Sequence, residues 1–323
     1  MSETVLIERG VFLDTASLNA DDLDFTPFNK QLPHLDYRSM TAPNEVMAAL
    51  QECQLVITNK VVIERKHLQA NPQLKLVCVA ATGVNNVDVV AAHELGVSVC
   101  NVRNYATPSV VQHVFTLILA LTTRLADIQH AVRQGEWSRS PHFSLLTYPV
   151  HELVGKTIGI VGYGELGQAV AKTAECFGMK LLIAKRDASD DRPGRLSLHE
   201  LLPQVDVLSL HCPLTDETRD LIDEKELSLM KSSALLINTA RGGIVNEAAL
   251  LSALNNCVIA GAACDVLTVE PPPIDYPVLQ YTKPNLILTP HVAWASHESR
   301  QRMVNEIALN IAAFKKGVVR NEV

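Results

Sequence analysis

No two cysteines in this sequence are spaced Cys-x-x-Cys, although there are seven: Cys53, Cys78, Cys100, Cys176, Cys212, Cys257 and Cys264. Neither a zinc ribbon nor a thioredoxin-like redox site is indicated, and no metal site is expected. The thiols are odd in number and mostly lie in apolar segments. They read as reduced core residues in a reducing compartment, the cytoplasm. A basic excess is also missing, with 28 Lys and Arg against 35 Asp and Glu and a formal charge of −7. Broad nucleic-acid binding needs a basic surface and is excluded. The most apolar stretch, residues 110–121, is interrupted by Gln112, His113 and Thr116. It is too short and too polar to cross a bilayer, so no membrane partner is expected. Residues 1–10 carry acids early and no long apolar run, which argues against a secretory signal. Internal repeats and low-complexity tracts are lacking.

What is present is ordinary for a globular protein. The 323 residues are 47% hydrophobic and 20% charged. That length suggests about two domains and suffices to bury a core without disulfides. In the first hundred residues, stretches 55–58, 74–80 and 97–100 read as strands, and 45–50, 64–70 and 88–95 as helices. Such alternation predicts a mostly parallel sheet covered on both faces. A polar break at 101–108 ends in Pro108. The stretch 109–124 then predicts a helix that is apolar nearly all round, with Ser109 as N-cap or first-turn residue. Such a helix must be buried, between domains or against another subunit. Residues 134–150 read as a loop. A second α/β block follows, with strands at 156–161, 180–184, 205–210, 234–238, 259–263 and 286–288. Its helices fall at 166–177, 198–202, 224–229 and 247–255, and a last helix at 297–314.

Between the strand at 156–161 and the next helix stands Gly162-Tyr163-Gly164-Glu165-Leu166-Gly167. A lone G-x-G-x-x-G is a weak signal, but here strand, turn and helix occur in the order a dinucleotide site requires. Gly162 permits the tight turn, Gly164 lets a pyrophosphate approach the backbone, and Gly167 lets helix and strand pack closely. The phosphates then sit on the helix N-terminus. For NAD the following strand should end in an acid that binds the ribose. It ends instead in Lys185 and Arg186, followed by Asp187. The two cations suit the 2′-phosphate of NADP. With Asp187 as ribose ligand NAD is the alternative.

Three segments at the C-terminal ends of predicted strands carry reactive groups: Arg241 on a glycine turn, Glu270 before three prolines, and His291 after Pro290. Open parallel sheets bind ligands at that edge. Reduction of a 2-keto acid needs a cation for the carboxylate or carbonyl, which Arg supplies as a planar fork. It needs a group that gives a proton near neutral pH, which His supplies. It also needs an acid to hold that proton, since a nearby negative charge favours imidazolium. Each of the three residues alone has a bland explanation as a surface ion pair, a solvated ring or a loop acid. Their joint occurrence beside a dinucleotide turn points to one site.

In these stretches the sequence resembles the D-isomer-specific 2-hydroxyacid dehydrogenase family. The resemblance runs through the glycine turn, His211-Cys212-Pro213-Leu214 with Thr218, Asn238-Thr239-Ala240-Arg241-Gly242, Asp265-Val266, Glu270-Pro271 and Pro290-His291. It implies two Rossmann-like doubly wound α/β domains. The substrate domain, flavodoxin-like, would comprise residues 1–103 and 293–323, with the dinucleotide-binding domain, 104–292, inserted in it. It implies that Arg241, Glu270 and His291 are catalytic, with Arg241 and His291 also gripping substrate. Asp265 would contact the nicotinamide carboxamide. Thr107, Glu165, Leu166, Cys212, Pro213, Thr218, Thr239 and Ala240 would line the cofactor, NADP or NAD. Ala81, Thr82 and Gly83 look like the family's substrate loop, whose amides hold the carboxylate; a turn of small residues suits an anion.

The wording of residues 81–88 and 291–296 resembles the glycerate dehydrogenase or hydroxypyruvate reductase branch. This implies reduction of a small 2-keto acid, closure of the domains about 101–108 and 292–298, and a homodimer. Rival expectations are a dehydrogenase of bulkier acids, a phosphite or formate dehydrogenase, and a non-enzymatic NAD(H)-sensing corepressor. Glu270 stands where formate dehydrogenases have an amide. The absence of a basic arm or disordered tail argues against the corepressor.

Overall fold

A computed structural model describes residues 5–323. The first four, part of the stretch read above for a secretory signal, lie outside the described residues. The chain divides into two compact units, one being Thr107–Ala293 and the other combining Trp294–Val323 with the chain up to Ala106.

The latter unit holds five parallel strands: β1 (Arg9–Phe12), β2 (His34–Tyr37), β3 (Leu55–Thr58), β4 (Leu76–Val79) and β5 (Ser98–Cys100), in the order β2-β1-β3-β4-β5. Every residue of β3 and β4 is buried, as expected for strands covered on both faces. The sequence reading missed β1 and β2. Only one of the four side chains of β2 is even partly covered, so that edge strand carries no apolar run. One sheet face packs Phe12, Ile57 and Leu76 against Met303, Val304, Ile307 and Ile311 of the helix His297–Lys315. The other packs Val11, Val56 and Val77 against Leu68, Ala91 and Ala92. The long helix is anchored by buried Arg300, which donates to the carbonyls of Leu18 (2.9 Å) and Asn19 (2.8 Å) and to the carboxylate of Asp22 (2.7 Å).

The second unit carries seven parallel strands: β6 (Thr157–Val161), β7 (Lys180–Ala184), β8 (Arg195–Leu196), β9 (Val207–Leu210), β10 (Leu235–Asn238), β11 (Gly261–Cys264) and β12 (Leu286–Leu288). Their order is β12-β11-β10-β9-β6-β7-β8. The chain winds outward from β6 to β8, returns, and winds the other way from β9 to β12. This leaves a crevice between β6 and β9, where doubly wound sheets bind nucleotides. The helix read as apolar nearly all round runs from Thr107 to Thr122, so Ser109 lies in its first turn; it buries Val110, Val114, Phe115, Leu117, Ile118 and Leu121 but leaves Gln112 and Thr116 exposed. It packs against β10, β11 and the helix Glu165–Cys176, with Phe115 stacked on Phe177 at 5.0 Å. Arg124, at φ 52°, breaks it from a further helix, Leu125–Arg133, that the sequence reading did not find. No single helix among the described residues is long and apolar enough to cross a membrane.

All seven thiols are free. Four are buried, which agrees with reading most of them as core thiols; Cys176 and Cys257 are exposed and Cys212 is half-buried.

Ile57 lies at the centre of the first sheet and is fully buried. Ile57→Ala lowers the free energy of unfolding by about 2–5 kcal/mol, through lost transfer energy and a residual cavity. A fall in the urea midpoint with unchanged slope checks this, and an unmoved midpoint contradicts it.

Candidate active site

Strand register aligns the site. Val161 pairs with Leu210, Leu210 with Asn238, Asn238 with Cys264, and Cys264 with Leu288. The next residue on each strand therefore falls on one row along the C-terminal edge: Gly162, His211, Thr239, Asp265 and Thr289.

At the first of these positions Gly162 has φ 90°, and a Cβ there would lie 2.5 Å from the backbone of His211 and Cys212. A Cβ at Gly167 would lie 2.1 Å from the Gly162 carbonyl oxygen, so the helix Glu165–Cys176 is seated directly on the turn. Gly164 differs, because a Cβ there would meet nothing within 4 Å. The turn is thus closed against the protein at two glycines and open at the third, the one that must admit a pyrophosphate. Glu165 and Leu166 open the helix, and the Thr107 hydroxyl bonds the Glu165 carboxylate.

Two buried side-chain atoms in the row have no partner among the described residues: His211 Nδ1 and Thr239 Oγ1. Buried polar atoms are usually satisfied, so this pair fits a ligand that completes them. Burial pushes the pKa of His211 down to about 4, leaving its ring neutral, and Nε2 pairs with the Ser209 hydroxyl at 2.9 Å. His211 lies in the matched stretches, yet it carried no role until the register placed it. Beside it, burial pushes the Cys212 thiol up to about 11, so it is no thiolate nucleophile. The Thr218 hydroxyl donates to the Pro213 carbonyl at 2.7 Å and closes that loop. The open glycine, the two orphaned atoms and the cations described next fit a nicotinamide dinucleotide.

Beyond β7, buried Asp190 organises the chain. It accepts the Arg186 amide at 2.9 Å and the Arg192 guanidinium at 2.6 and 2.7 Å. Those bonds, Arg192 first, hold its carboxyl far below the usual carboxylate range. Asp187 accepts from the Ser189 amide and hydroxyl at 2.8 and 2.5 Å, so one of its oxygens is engaged in its own turn. Arg186 is 84% exposed and pairs with Asp187 at 3.8 Å. Lys185 has no ion-pair partner among the described residues.

Asp265 is 1% exposed. Its Oδ1 accepts from the Thr289 hydroxyl (2.6 Å) and the Val292 amide (2.9 Å), and its Oδ2 from the Ala293 amide (2.9 Å). Its own carbonyl accepts the His291 amide at 2.7 Å. Burial pushes the Asp265 carboxyl up, but the hydrogen bonds from His113, Thr289, Ala293 and Val292 outweigh it and leave the group below its usual range. The Thr289 proton goes to Asp265, so His113 Nε2, 3.0 Å from the Thr289 oxygen, is the donor of that pair. His113 was read only as an interruption of an apolar stretch; the structure places it beside the buried acid.

His291 sits at φ 55°, and its Nδ1 lies 2.7 Å from Glu270 Oε2. The other carboxylate oxygen accepts the Leu267 amide at 2.9 Å. Both side chains are about one-third exposed. The Glu270–Pro271 peptide is cis. The Arg241 turn is closed by buried Asn238, whose Nδ2 donates to the Arg241 carbonyl (3.0 Å) and whose Oδ1 accepts the Ala240 amide (3.1 Å). The Arg241 guanidinium is exposed and donates to the Ala240 carbonyl at 2.7 Å. It forms no ion pair among the described residues, which leaves its charge for an anion. A hydrogen-bonded acid–imidazole pair and a free guanidinium thus follow three neighbouring strands.

In the other unit, residues 81–83 follow β4. The Thr82 hydroxyl donates to the Val102 carbonyl (2.9 Å), and Asn101 Nδ2 donates to the Thr82 carbonyl (2.7 Å). The amides of residues 82–86 meet no acceptor among the described residues. Asp88 caps the next helix, accepting from Ala91 at 2.9 Å.

Residues 115–293 match the profile of the D-isomer specific 2-hydroxyacid dehydrogenase, NAD binding domain. Over 320 residues the chain is 42% identical to the glycerate dehydrogenase of Methylorubrum extorquens, covering 98% of this chain and 99% of that one. It is 37% identical over 313 residues to the hydroxypyruvate reductase of Blautia hydrogenotrophica, covering 95% and 97%. Among solved structures it resembles the NADPH-dependent glyoxylate/hydroxypyruvate reductase of Sinorhizobium meliloti in complex with NADP and malonate. There the TM-score is 0.81 and the identity 27%, over 98% of this chain and 97% of that one.

The open space beside Gly164 separates folding from binding. Gly164→Ala is expected to melt at the wild-type temperature but to bind NADPH at least about tenfold more weakly, since each 1.4 kcal/mol of lost contact is a factor of ten. Fluorescence titration beside a thermal melt measures both, and unchanged affinity refutes the assignment of this turn.

Proposed function

The chain belongs to the D-isomer-specific 2-hydroxyacid dehydrogenase family, and from that premise we propose that it reduces hydroxypyruvate and glyoxylate to the corresponding 2-hydroxy acids, D-configured where chiral. It is an NAD(P)-dependent oxidoreductase. The observation that carries the reading is the 2.7 Å pair of Glu270 and His291, with Arg241 held free of ion pairs on a neighbouring strand end.

When bound, the nicotinamide cofactor supplies a hydride for the keto carbon. His291 uses Nδ1 toward Glu270, which leaves Nε2 to donate a proton to the carbonyl oxygen as negative charge develops there. Glu270 holds the ring through Nδ1, 2.7 Å from its Oε2, and fixes its orientation. Arg241 binds the carboxylate and orients the carbonyl. The free amides at Thr82 and Gly83, with Ala81, are our candidates for further carboxylate contacts. Gly162, Gly164, Glu165, Leu166, Gly167, Thr107, Cys212, Pro213, Thr218, Thr239 and Ala240 are assigned to the cofactor. Asp265 has most of its hydrogen-bonding capacity turned inward, and its role here is chiefly to fix the His291 turn. The substrate and cofactor roles of the two units belong to this proposal.

NADP is the preferred cofactor in this reading, because Lys185 has no ion-pair partner among the described residues and Arg186 is exposed, while Asp187 is engaged in its own turn. Exposed Phe143 (92%) and Leu146 (86%) suit contact with a second copy, and the free thiols favour the cytoplasm.

His291→Asn should cut hydroxypyruvate turnover at least about a thousandfold, with the NADPH dissociation constant within twofold of wild type. Glu270→Gln should lower kcat for hydroxypyruvate about tenfold or more with the NADPH dissociation constant nearly unchanged, since the ring loses the carboxylate that orients it. Near-normal turnover in the first variant would end the assignment. Replacing Lys185 and Arg186 together with Ala is expected to raise KM for NADPH about tenfold or more and to leave that for NADH nearly unchanged. Equal effects on both cofactors would discard the NADP preference.

A further inference from the structure

Glu270 sits in a segment that hydrophobic packing does not hold. From Leu267 to Pro277 no side chain is buried, whereas Val266 before and Val278 after are. Yet the segment must keep one carboxylate oxygen 2.7 Å from His291 Nδ1. Its precision has to come from hydrogen bonds and backbone contacts.

Three of those bonds converge on one side chain. Glu247 Oε1 accepts from the Thr268 amide at 2.7 Å and the Thr268 hydroxyl at 2.9 Å, and Glu247 Oε2 accepts from the Tyr276 hydroxyl at 2.7 Å. Thr268 and Tyr276 lie on either side of Glu270, so a single carboxylate ties both limbs of the loop. Glu247 itself is well anchored. It opens the helix Glu247–Asn255, which Asn246 caps by accepting from the Ala249 amide at 3.1 Å. A negative charge is favourable at that end of a helix. The loop also rests on the turn that carries Arg241, because a Cβ at Gly242 would lie 1.9 Å from the Leu267 carbonyl oxygen. Burial and the Glu247 bond both push the Tyr276 hydroxyl up, so it stays a donor.

We infer that Glu247 is a positioning residue of the reaction: through Thr268 and Tyr276 its carboxylate holds Glu270 in register with His291. The chemistry requires a carboxylate there. Two oxygens accept three donors, and charged acceptors make the stronger bonds. A glutamine keeps one acceptor oxygen and turns an NH2 toward one of the donors. Glu247 does not touch substrate, and its loss is felt as a loosened acid–base pair, where a misplacement of about 1 Å costs about a hundredfold.

The inference rests on the acid–base assignment of Glu270 and His291 made above. Glu270→Gln is therefore measured beside Glu247→Gln, Glu247→Ala and Tyr276→Phe in the full-length protein, with hydroxypyruvate and NADPH. Glu247→Gln is expected to lower kcat about tenfold and Glu247→Ala between about tenfold and a hundredfold, with KM for hydroxypyruvate and the NADPH dissociation constant changed less. The losses are not additive: Glu247→Gln combined with Glu270→Gln lowers kcat no further than Glu270→Gln alone, because the tether then has no acid–base pair to hold. Tyr276→Phe keeps the carboxylate and removes one donor, so it lowers kcat by less. This variant carries the test should Glu247→Ala fail to fold. Wild-type kcat in both Glu247→Gln and Tyr276→Phe overturns the inference, as do fully additive losses or an effect confined to melting temperature. If Glu270→Gln leaves kcat at the wild-type level, the acid–base assignment falls and this inference with it. If only Glu270→Gln lowers kcat, the assignment stands and the tether alone is rejected.

Discussion

A single buried carboxylate sets the geometry on which the proposed chemistry depends. Asp265 directly follows β11 and is closed off from solvent, where an uncompensated charge is costly. It is compensated by the Thr289 hydroxyl and by the amides of Val292 and Ala293. Those partners lie on both sides of His291 in sequence, so satisfying the charge folds the turn that presents the imidazole. His113 adds a donor from the helix Thr107–Thr122 through Thr289. The electrostatic requirement of one side chain thereby specifies the backbone path of another. The C-terminal edge, the imidazole and the sheet are linked through β11 and β12, whose register is parallel and continuous.

The site shows a division of labour between rigid and polar holding. Arg241 is delivered by a strand whose four residues are all buried, followed by a turn locked by Asn238. Glu270 is delivered by a loop without a core of its own, held at a few points. Loops are where catalytic groups commonly sit, and a coreless loop is also the cheapest element to move. Two otherwise similar carboxylates, Glu247 and Glu270, differ in what they face: Glu247 faces hydroxyl and amide donors only, and Glu270 an imidazole beside one amide.

Much of the architecture was legible in the sequence. A buried parallel strand such as β4 is a continuous apolar run, and the helix Glu247–Asn255 is bounded by a capping Asn and a C-terminal Asn. The glycine turn was legible because each glycine has its own physical reason. The edge strand β2 was not, since it has almost no buried face, and two-residue β8 is too short to carry a period. The helix Leu125–Arg133 was hidden because its start depends on the left-handed turn at Arg124 rather than on a proline or a capping side chain. In the site, reactive residue types at strand ends could be found by inspection. The roles of His113, His211 and Glu247 could not, because each depends on partners in distant segments: His113 and Thr289 are 176 residues apart.

The conformation of His291 has a consequence for how such a protein changes over time. At φ 55° it occupies a region that costs a residue with a Cβ about 1–3 kcal/mol, and in which Gly and Asn are more at ease. Under the role proposed for His291, selection for folding alone and selection for turnover therefore pull position 291 in opposite directions. A lineage released from its metabolic duty, or a laboratory library screened only for heat resistance, gains by replacing the histidine. Persistence of a histidine there is thus a signature of continuing use, recorded in the backbone as a small stability deficit.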